Sequence, residues 1–244
     1  MTDYRARRGI RDLWNAWMVD GAEFSALDYP RFPRVGATIP KAVISWPRAK
    51  TLHKRMMAKG MADYHINAVI HLFSDDANFD GPISGIWSRR GAKYLLKVVR
   101  HFDGVMGLDF TIEPCMPRPI WQHQLYKMRA MEYWLASNGV SVIQNARWCS
   151  RSTWDESFDA LEEGGTYSLG TVASGLRYLE NRPQFENGLR ELVIRKHPVA
   201  LVVVGSADYP IFDEVRKMGV KIIQYDSETC LAFQARKEKG GSHE

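Results

Sequence analysis

The sequence predicts an α/β fold of alternating β/α units, barrel-like and either complete or short of eight units. Three observations carry that prediction. The central stretch, residues 104–148, reads as a buried strand, a long amphipathic helix and a second buried strand, which is one βαβ unit. The same alternation recurs on both sides of it, for seven strands in all. No GxGxxG follows the first strand, which weighs against the alternative, an open doubly wound parallel sheet, without removing it.

Taken in order, residues 4–19 cluster Leu13, Trp14, Trp17 and Met18 on one side of an expected helix that packs on the main domain. Pro30, Pro33, Gly36 and Pro40 then exclude regular structure and mark a linker. The expected organisation is therefore an N-terminal segment over 1–40, a single α/β domain over 41–230 and a charged, disordered tail over 231–244. Strands are expected at 42–46 and 67–73, with a basic helix between them running to Lys59-Gly60, and a loop through Gly81, Pro82 and Gly85 leads to a helix over 87–102.

In the central unit, Val105 to Leu108 is apolar and turns polar at Asp109, as expected where a strand buried on both faces surfaces. Pro119 pre-sets the first turn of the next helix, and Asn138-Gly139 closes it with residues that tolerate a left-handed cap. VSVI starts the fourth strand, and Thr153-Trp-Asp-Glu156 fits a capping box for a short helix to about Leu161. A strand over 166–172, a helix opened by Pro183, the β-branched run VALVVVGS, a helix over 209–218 and a last strand over 220–225 complete the pattern.

The 244 residues, 45% hydrophobic, suffice for one large core. No apolar run approaches the roughly 20 residues that span a bilayer, and the first 20 residues are too charged for a secretion signal. No membrane partner is expected, and a soluble intracellular protein is. Cys115, Cys149 and Cys230 are few and widely spaced, which argues for reduced thiols over a disulfide framework or a zinc site. Residues 1–103 hold 17 basic and 10 acidic side chains, a net of +7 against +5 for the whole chain, so the remainder is near −2. The excess lies in Arg5, Arg7, Arg8 and Arg11, in Arg48, Lys50, Lys54, Arg55 and Lys59, and in Arg89, Arg90, Lys93, Lys97 and Arg100. Such residues are usually the solvated face of an amphipathic helix; attraction to a polyanion such as nucleic acid is the functional alternative.

Both candidate architectures place ligands at the carboxyl ends of the strands. Those ends carry Trp46; His71, Asp75 and Asp76; Asp109, Thr111 and Glu113; Asn145, Arg147 and Trp148; Thr171; Ser206 and Asp208; Tyr225 and Asp226. Asp109, Arg147, Asn145 and Thr171 are the candidate catalytic set, and Trp148 and Asp226 candidate substrate contacts. Asp109 stands out, because a charge directly at the end of a buried central strand is costly unless something uses or pairs it. With Asp75 or Asp76 it could hold a divalent cation, the one cofactor suggested, and Arg147 could clamp an anion. His71 reads as a core histidine, and no His is placed by sequence to activate Cys149. HExxH, Walker A and GxSxG patterns are absent.

The run LDF, the Pro-rich turn, the helix with Tyr126, Lys127 and Arg129, Asn138-Gly139, VSVIQNARW, Phe158-Asp159 and Leu169-Gly170-Thr171-Val172 resembles an uncharacterised domain-of-unknown-function family of bacteriophages, prophages and plasmid-like elements, over about residues 40–228. The resemblance marks Asp109, Phe110, Pro117, Tyr126, Arg129, Gly139, Trp148, Phe158, Asp159 and Thr171, and so adds Tyr126 and Arg129 to the substrate-binding candidates. The chain departs from the pattern at Gly107-Leu108, where Ser-Pro is expected, and at Cys149, where a Gly is usual. The likeness implies a mobile-element protein in the cytoplasm of a bacterial host and brings no assigned reaction.

Two functions from different classes stay open. One is an enzyme acting on a phosphorylated or nucleotide-like substrate at the strand ends, with Asp109 as base or metal ligand. The other is a non-enzymatic protein that meets nucleic acid or a host protein through its basic N-terminal half. Oligomeric state is not readable from the residues.

Overall fold

The computed structural model describes residues 9–33, 39–81, 85–172 and 174–232. Arg5, Arg7, Arg8, Gly36, Pro82 and residues 233–244 of the expected tail lie outside them. Seven strands alternate with six α-helices among the described residues: β1 (Val43–Ser45), α1 (Trp46–Ala58), β2 (Ile66–Leu72), α2 (Arg89–Val99), β3 (Phe102–Leu108), α3 (Arg118–Ser137), β4 (Val142–Asn145), α4 (Trp154–Asp159), β5 (Thr166–Gly170), α5 (Arg182–Lys196), β6 (Ala200–Val204), α6 (Pro210–Lys217) and β7 (Lys221–Tyr225). Proline occupies the first or second position of α1, α3, α5 and α6, where a fixed φ and a missing N–H cost nothing.

Every neighbouring pair is parallel, and the spatial order is the chain order, β1 to β7. A doubly wound sheet reverses its order part-way. This one does not, so the open alternative is set aside. The sheet curls into a half-barrel. Val69, Met106 and Ile143, from β2, β3 and β4, share one buried cluster with Val202 and Val204 of β6. In a flat sheet, β2 and β6 would stand about 19 Å apart, four strand spacings. The helices cover the outer face, where Leu95, Val99, Leu125, Met128 and Leu135 pack on the first strands and Leu189, Leu192, Phe212 and Val215 on the last. At the edges, the Tyr225 hydroxyl donates to the carbonyl of Pro40, just ahead of β1.

Two local expectations fail. Residues 9–19 contain a single 3-10 turn, Ala16–Met18, because Asn15 adopts a left-handed conformation and its side-chain amide donates to the Trp87 carbonyl. The segment still packs on the domain: Met18 and Val19 are buried, and Trp17 meets Trp134 edge-on at 5.3 Å. The capping box at Thr153 is also absent. Its hydroxyl accepts from Cys149 N at 3.0 Å and donates to Ser150 O at 2.8 Å, while Glu156 pairs with Arg118 at 2.6 Å.

One polar cluster decides how the sheet opens. β3 and β4 pair only at Val105 with Val142 and Met106 with Ile143. Beyond that point α3 inserts two charged side chains. Glu132 Oε1 accepts the Asn145 N–H at 2.8 Å, Arg129 Nη2 donates to the Asn145 carbonyl at 2.9 Å, and Arg129 Nη1 meets Glu132 Oε2 at 2.6 Å. Both side chains are fully buried. A methyl group on Gly107 would lie 2.0 Å from Glu132 Oε1, so only glycine admits the carboxylate there. Burial pushes the Glu132 carboxyl up; Arg129 and the Asn145 amide oppose it.

Breaking a buried pair from one side strands the other charge in a medium that cannot solvate it. Glu132→Ala is therefore expected to lose about 3–5 kcal/mol of stability in urea unfolding. Asp213→Ala, which breaks the exposed pair with Arg216, should stay within about 0.5 kcal/mol.

Candidate functional site

The carboxyl ends of all seven strands meet around one cavity of about 750 Å³. Ser45 ends β1, His71 lies near the end of β2, Asp109 and Thr111 follow β3, Arg147 follows β4, Gly170 ends β5, Val204 ends β6, and Ser227 and Glu228 follow β7. A second cavity of about 230 Å³ opens beside it, among Glu113, Trp148, Cys149, Asn181 and Gln184. Asp109, Arg147 and Gly170 line both, so the Asp109–Arg147 pair is the partition between them.

That partition is braced from one side only. Asn145 Nδ2 donates to the Leu108 carbonyl at 2.9 Å and to Asp109 Oδ1 at 3.0 Å, which carries the order of the Arg129–Glu132 cluster out to the rim. Arg147 Nε stands 3.8 Å from Asp109 Oδ1, too far for a hydrogen bond. Its buried Nε has no hydrogen-bond partner among the described residues. The two side chains are 19% and 18% exposed, so each is largely withdrawn from water yet faces the cavities. A guanidinium in that setting has unused donors in a fixed planar fork.

His71 is 6% exposed, and its Nδ1 has no partner among the described residues. Burial lowers its pKa to about 4, so a neutral imidazole lines the mouth at pH 7. His71 is therefore buried, as a core histidine is, while it also lines the large cavity with that Nδ1 unpartnered among the described residues.

The other expected residues divide. Asp75 lines the large cavity and Trp148 the small one, where the Trp148 ring rests on Phe158, Phe185 and Gly188. Asp76 does not face the cavity. Its carboxylate accepts from Thr111 N at 3.0 Å and Thr111 Oγ1 at 3.2 Å and ties down the loop after Asp109. Among the described residues no group of three or more His, Cys, Asp or Glu side chains gathers as a metal site. Thr171 turns its hydroxyl against Gly205, where a Cβ would come within 2.3 Å of it, and lines neither cavity.

Arg129 is sealed in the buried cluster, and Tyr126 packs against Trp87 and His123 on the outer side of α3, so neither reaches the mouth. Asp226 lies next to the rim, lining neither cavity. Burial pushes the Cys149 thiol up, and Gln184 Nε2, 3.2 Å away, supplies no base. Ser45, Phe73 and Glu228 join the mouth without having been expected there. The strand-end rule could have found Ser45, the residue before Trp46. Phe73 and Glu228 lie one and three residues past their strands, the same offsets as Asp109 and Asp75, so the rule reached them too and the choice of polar residues near each end passed over them.

A family model described as "Domain of unknown function (DUF4417)" matches residues 23–226. The chain belongs to this family. The matched region contains all seven strands and begins earlier than the 40 or so expected, so it takes in part of the segment ahead of β1. Two curated relatives are similar to it, each named Gene 1 protein. That of Mycobacterium phage D29 is 30% identical over 141 residues, 57% of this chain and 49% of the phage protein. That of Mycobacterium phage L5 is 27% identical over 169 residues, 69% and 67% of the two chains. The match thus spans about half the length of the first relative. No solved structure matches. Among the described residues, no helix is long and apolar enough to cross a membrane.

His71 gives the mouth a measurable signature. Its folded-state pKa lies below the ordinary 6.5, so acid favours the unfolded chain, which takes up the proton. Its contribution is intact above pH 6.5 and is lost as pH falls toward 4. Urea unfolding at pH 7 and pH 4.5 should show wild type losing about 2–3 kcal/mol more than His71→Gln over that interval.

Proposed function

We propose that the mouth of the half-barrel binds a small phosphorylated sugar or nucleotide, with Arg147 taking the phosphate. The observation that carries this reading is the Arg147 guanidinium: largely buried, lining both cavities, and with its Nε left without a hydrogen bond among the described residues. Buried donors without acceptors are costly, and a planar fork pairs with phosphate oxygens two at a time.

The charges around it narrow the ligand further. Asp75, Asp109 and Glu228 line the large cavity against Arg48 and Arg147, with His71 neutral, so a bare anion is a poor match. A ligand that offers hydroxyls to the carboxylates and one phosphate to Arg147 satisfies both. Phe73, Val172 and Val204 provide an apolar wall suited to a ring. Asp109, oriented by Asn145, is then the group placed to accept a hydroxyl proton, which makes proton transfer on the bound ligand the chemistry of this reading. Such ligands fit the cytoplasm of a bacterial host, the setting suggested by relatives in two mycobacteriophages.

A thermal-shift series with a nucleoside monophosphate, ribose 5-phosphate, the unphosphorylated nucleoside and inorganic phosphate tests it. A phosphorylated sugar or nucleotide at about 100 times its Kd should stabilise the chain by about 2.7 kcal/mol, roughly 5–10 °C in Tm. The nucleoside and inorganic phosphate should do much less, and Arg147→Gln should lose the shift. No shift with any phosphorylated sugar, or an equal shift in Arg147→Gln, would overturn the reading.

A further inference from the structure

The outer helices carry their cations in two different ways. On α5 and α6 three arginines are paired with carboxylates: Arg190 with Glu214 at 2.8 Å, Arg195 with Asp155 and Glu191 at 2.6 Å each, and Arg216 with Asp213 at 2.6 Å. α1 and α2 are built otherwise. Five cations lie on α1 and its cap Lys59, five on α2 and its cap Arg100, and neither span contains an Asp or Glu. None of them forms an ion pair among the described residues, and all but Lys50 are exposed. The two helices pack side by side through Trp46, His53 and Tyr94, with Trp46 and Tyr94 edge-on at 6.0 Å, so their cations belong to one surface.

Where those cations sit argues against a merely solvated face. Arg48 stands in the first turn of α1, and Arg89 and Arg90 open α2, with no acidic residue in either first turn. A helix N-terminus is the positive end of the dipole, so each cation there opposes it by about 0.3–1 kcal/mol. Mutual repulsion across the α1–α2 face adds to that cost. Solubility alone would be served by the mixed signs found on α5 and α6.

We propose that the outer face of α1 and α2 is a phosphate-backbone surface for double-stranded nucleic acid. A helix of 13 residues is about 20 Å long. Duplex DNA carries one charge per about 1.7 Å of axis with both strands counted, so that length holds on the order of twelve phosphates, about half of them on the side facing the protein. The contacts proposed are to the phosphate backbone, which fix position on the duplex and carry no sequence information. The duplex is favoured over a single strand because the aromatic rings here are turned inward: Trp46 is buried and Tyr94 packs against it, leaving no exposed stacking platform among the described residues of the two helices.

Fluorescence anisotropy of the full chain with a labelled duplex of unrelated sequence, titrated across salt, tests the proposal. Affinity should fall by about 10³-fold or more between roughly 50 and 200 mM salt. The Lys54→Glu/Lys93→Glu/Lys97→Glu variant should bind at least about tenfold more weakly, and Lys54→Gln/Lys93→Gln/Lys97→Gln should lower the salt slope by about 2.7. Lys217→Glu/Lys221→Glu, exposed cations at the far edge of the sheet, should stay within about threefold of wild type. The proposal is overturned by no binding, by full affinity in either triple variant, by an equal loss in the far-edge variant, by preference for single strands, or by capture of anionic-lipid vesicles in place of DNA.

Discussion

The buried Arg129–Glu132 pair is the interaction on which the rest of this structure depends. It stands where backbone hydrogen bonds between β3 and β4 would otherwise run, and it supplies both the acceptor and the donor that Asn145 needs there. The strands can therefore part without leaving a buried amide or carbonyl unpaired, which would itself be costly. Two glycine-scale features make room for it: Gly107 admits the carboxylate, and β3 carries a register shift near its end. A pair so completely buried contributes little net stability over an apolar replacement, but it fixes one geometry.

That geometry propagates outward. With its backbone held by α3, Asn145 directs its amide across the gap to Leu108 and Asp109, and Asp109 in turn stands beside Arg147. The order fades with each step: bonds of 2.6–2.9 Å inside, 3.0 Å at Asp109, and 3.8 Å at Arg147. Arg147 is thus placed without being used up. The mouth and the outer face of α1 and α2 also differ in sign. Carboxylates gather inside the cavity, while the cations of the nearest helices form no ion pair among the described residues, and Arg48 belongs to both.

Much of the fold was legible because each buried strand reads as an apolar run and each covering helix as a 3.6-residue stripe, with prolines opening α1, α3, α5 and α6. The N-terminal segment was misread for a physical reason: Leu13, Trp14, Trp17 and Met18 have helical spacing, yet a left-handed Asn15 breaks the segment and the rings reach α3 from a 3-10 turn. Thr153 and Glu156 had capping-box spacing, but both found partners outside the helix. The strand-end rule brought Asp109, Asn145, Arg147 and Asp75 to one rim and could not tell which way each side chain turns there. Thr171 turns toward Gly205 and Asp76 toward Thr111. Arg129 and Glu132 form their network across α3, β3 and β4, and nothing in a linear pattern reports a helix side chain standing in for a strand.

The central claim is that Arg147 is a preorganised guanidinium awaiting an oxyanion. The most direct measurement is the Arg147 Nε–Hε resonance in a ¹H–¹⁵N spectrum, assigned by its disappearance in Arg147→Lys and followed as a nucleoside monophosphate is added. The account predicts a saturable shift of that signal ahead of the other arginines, with slowed exchange of its proton. A signal unmoved while surface arginines shift would contradict it.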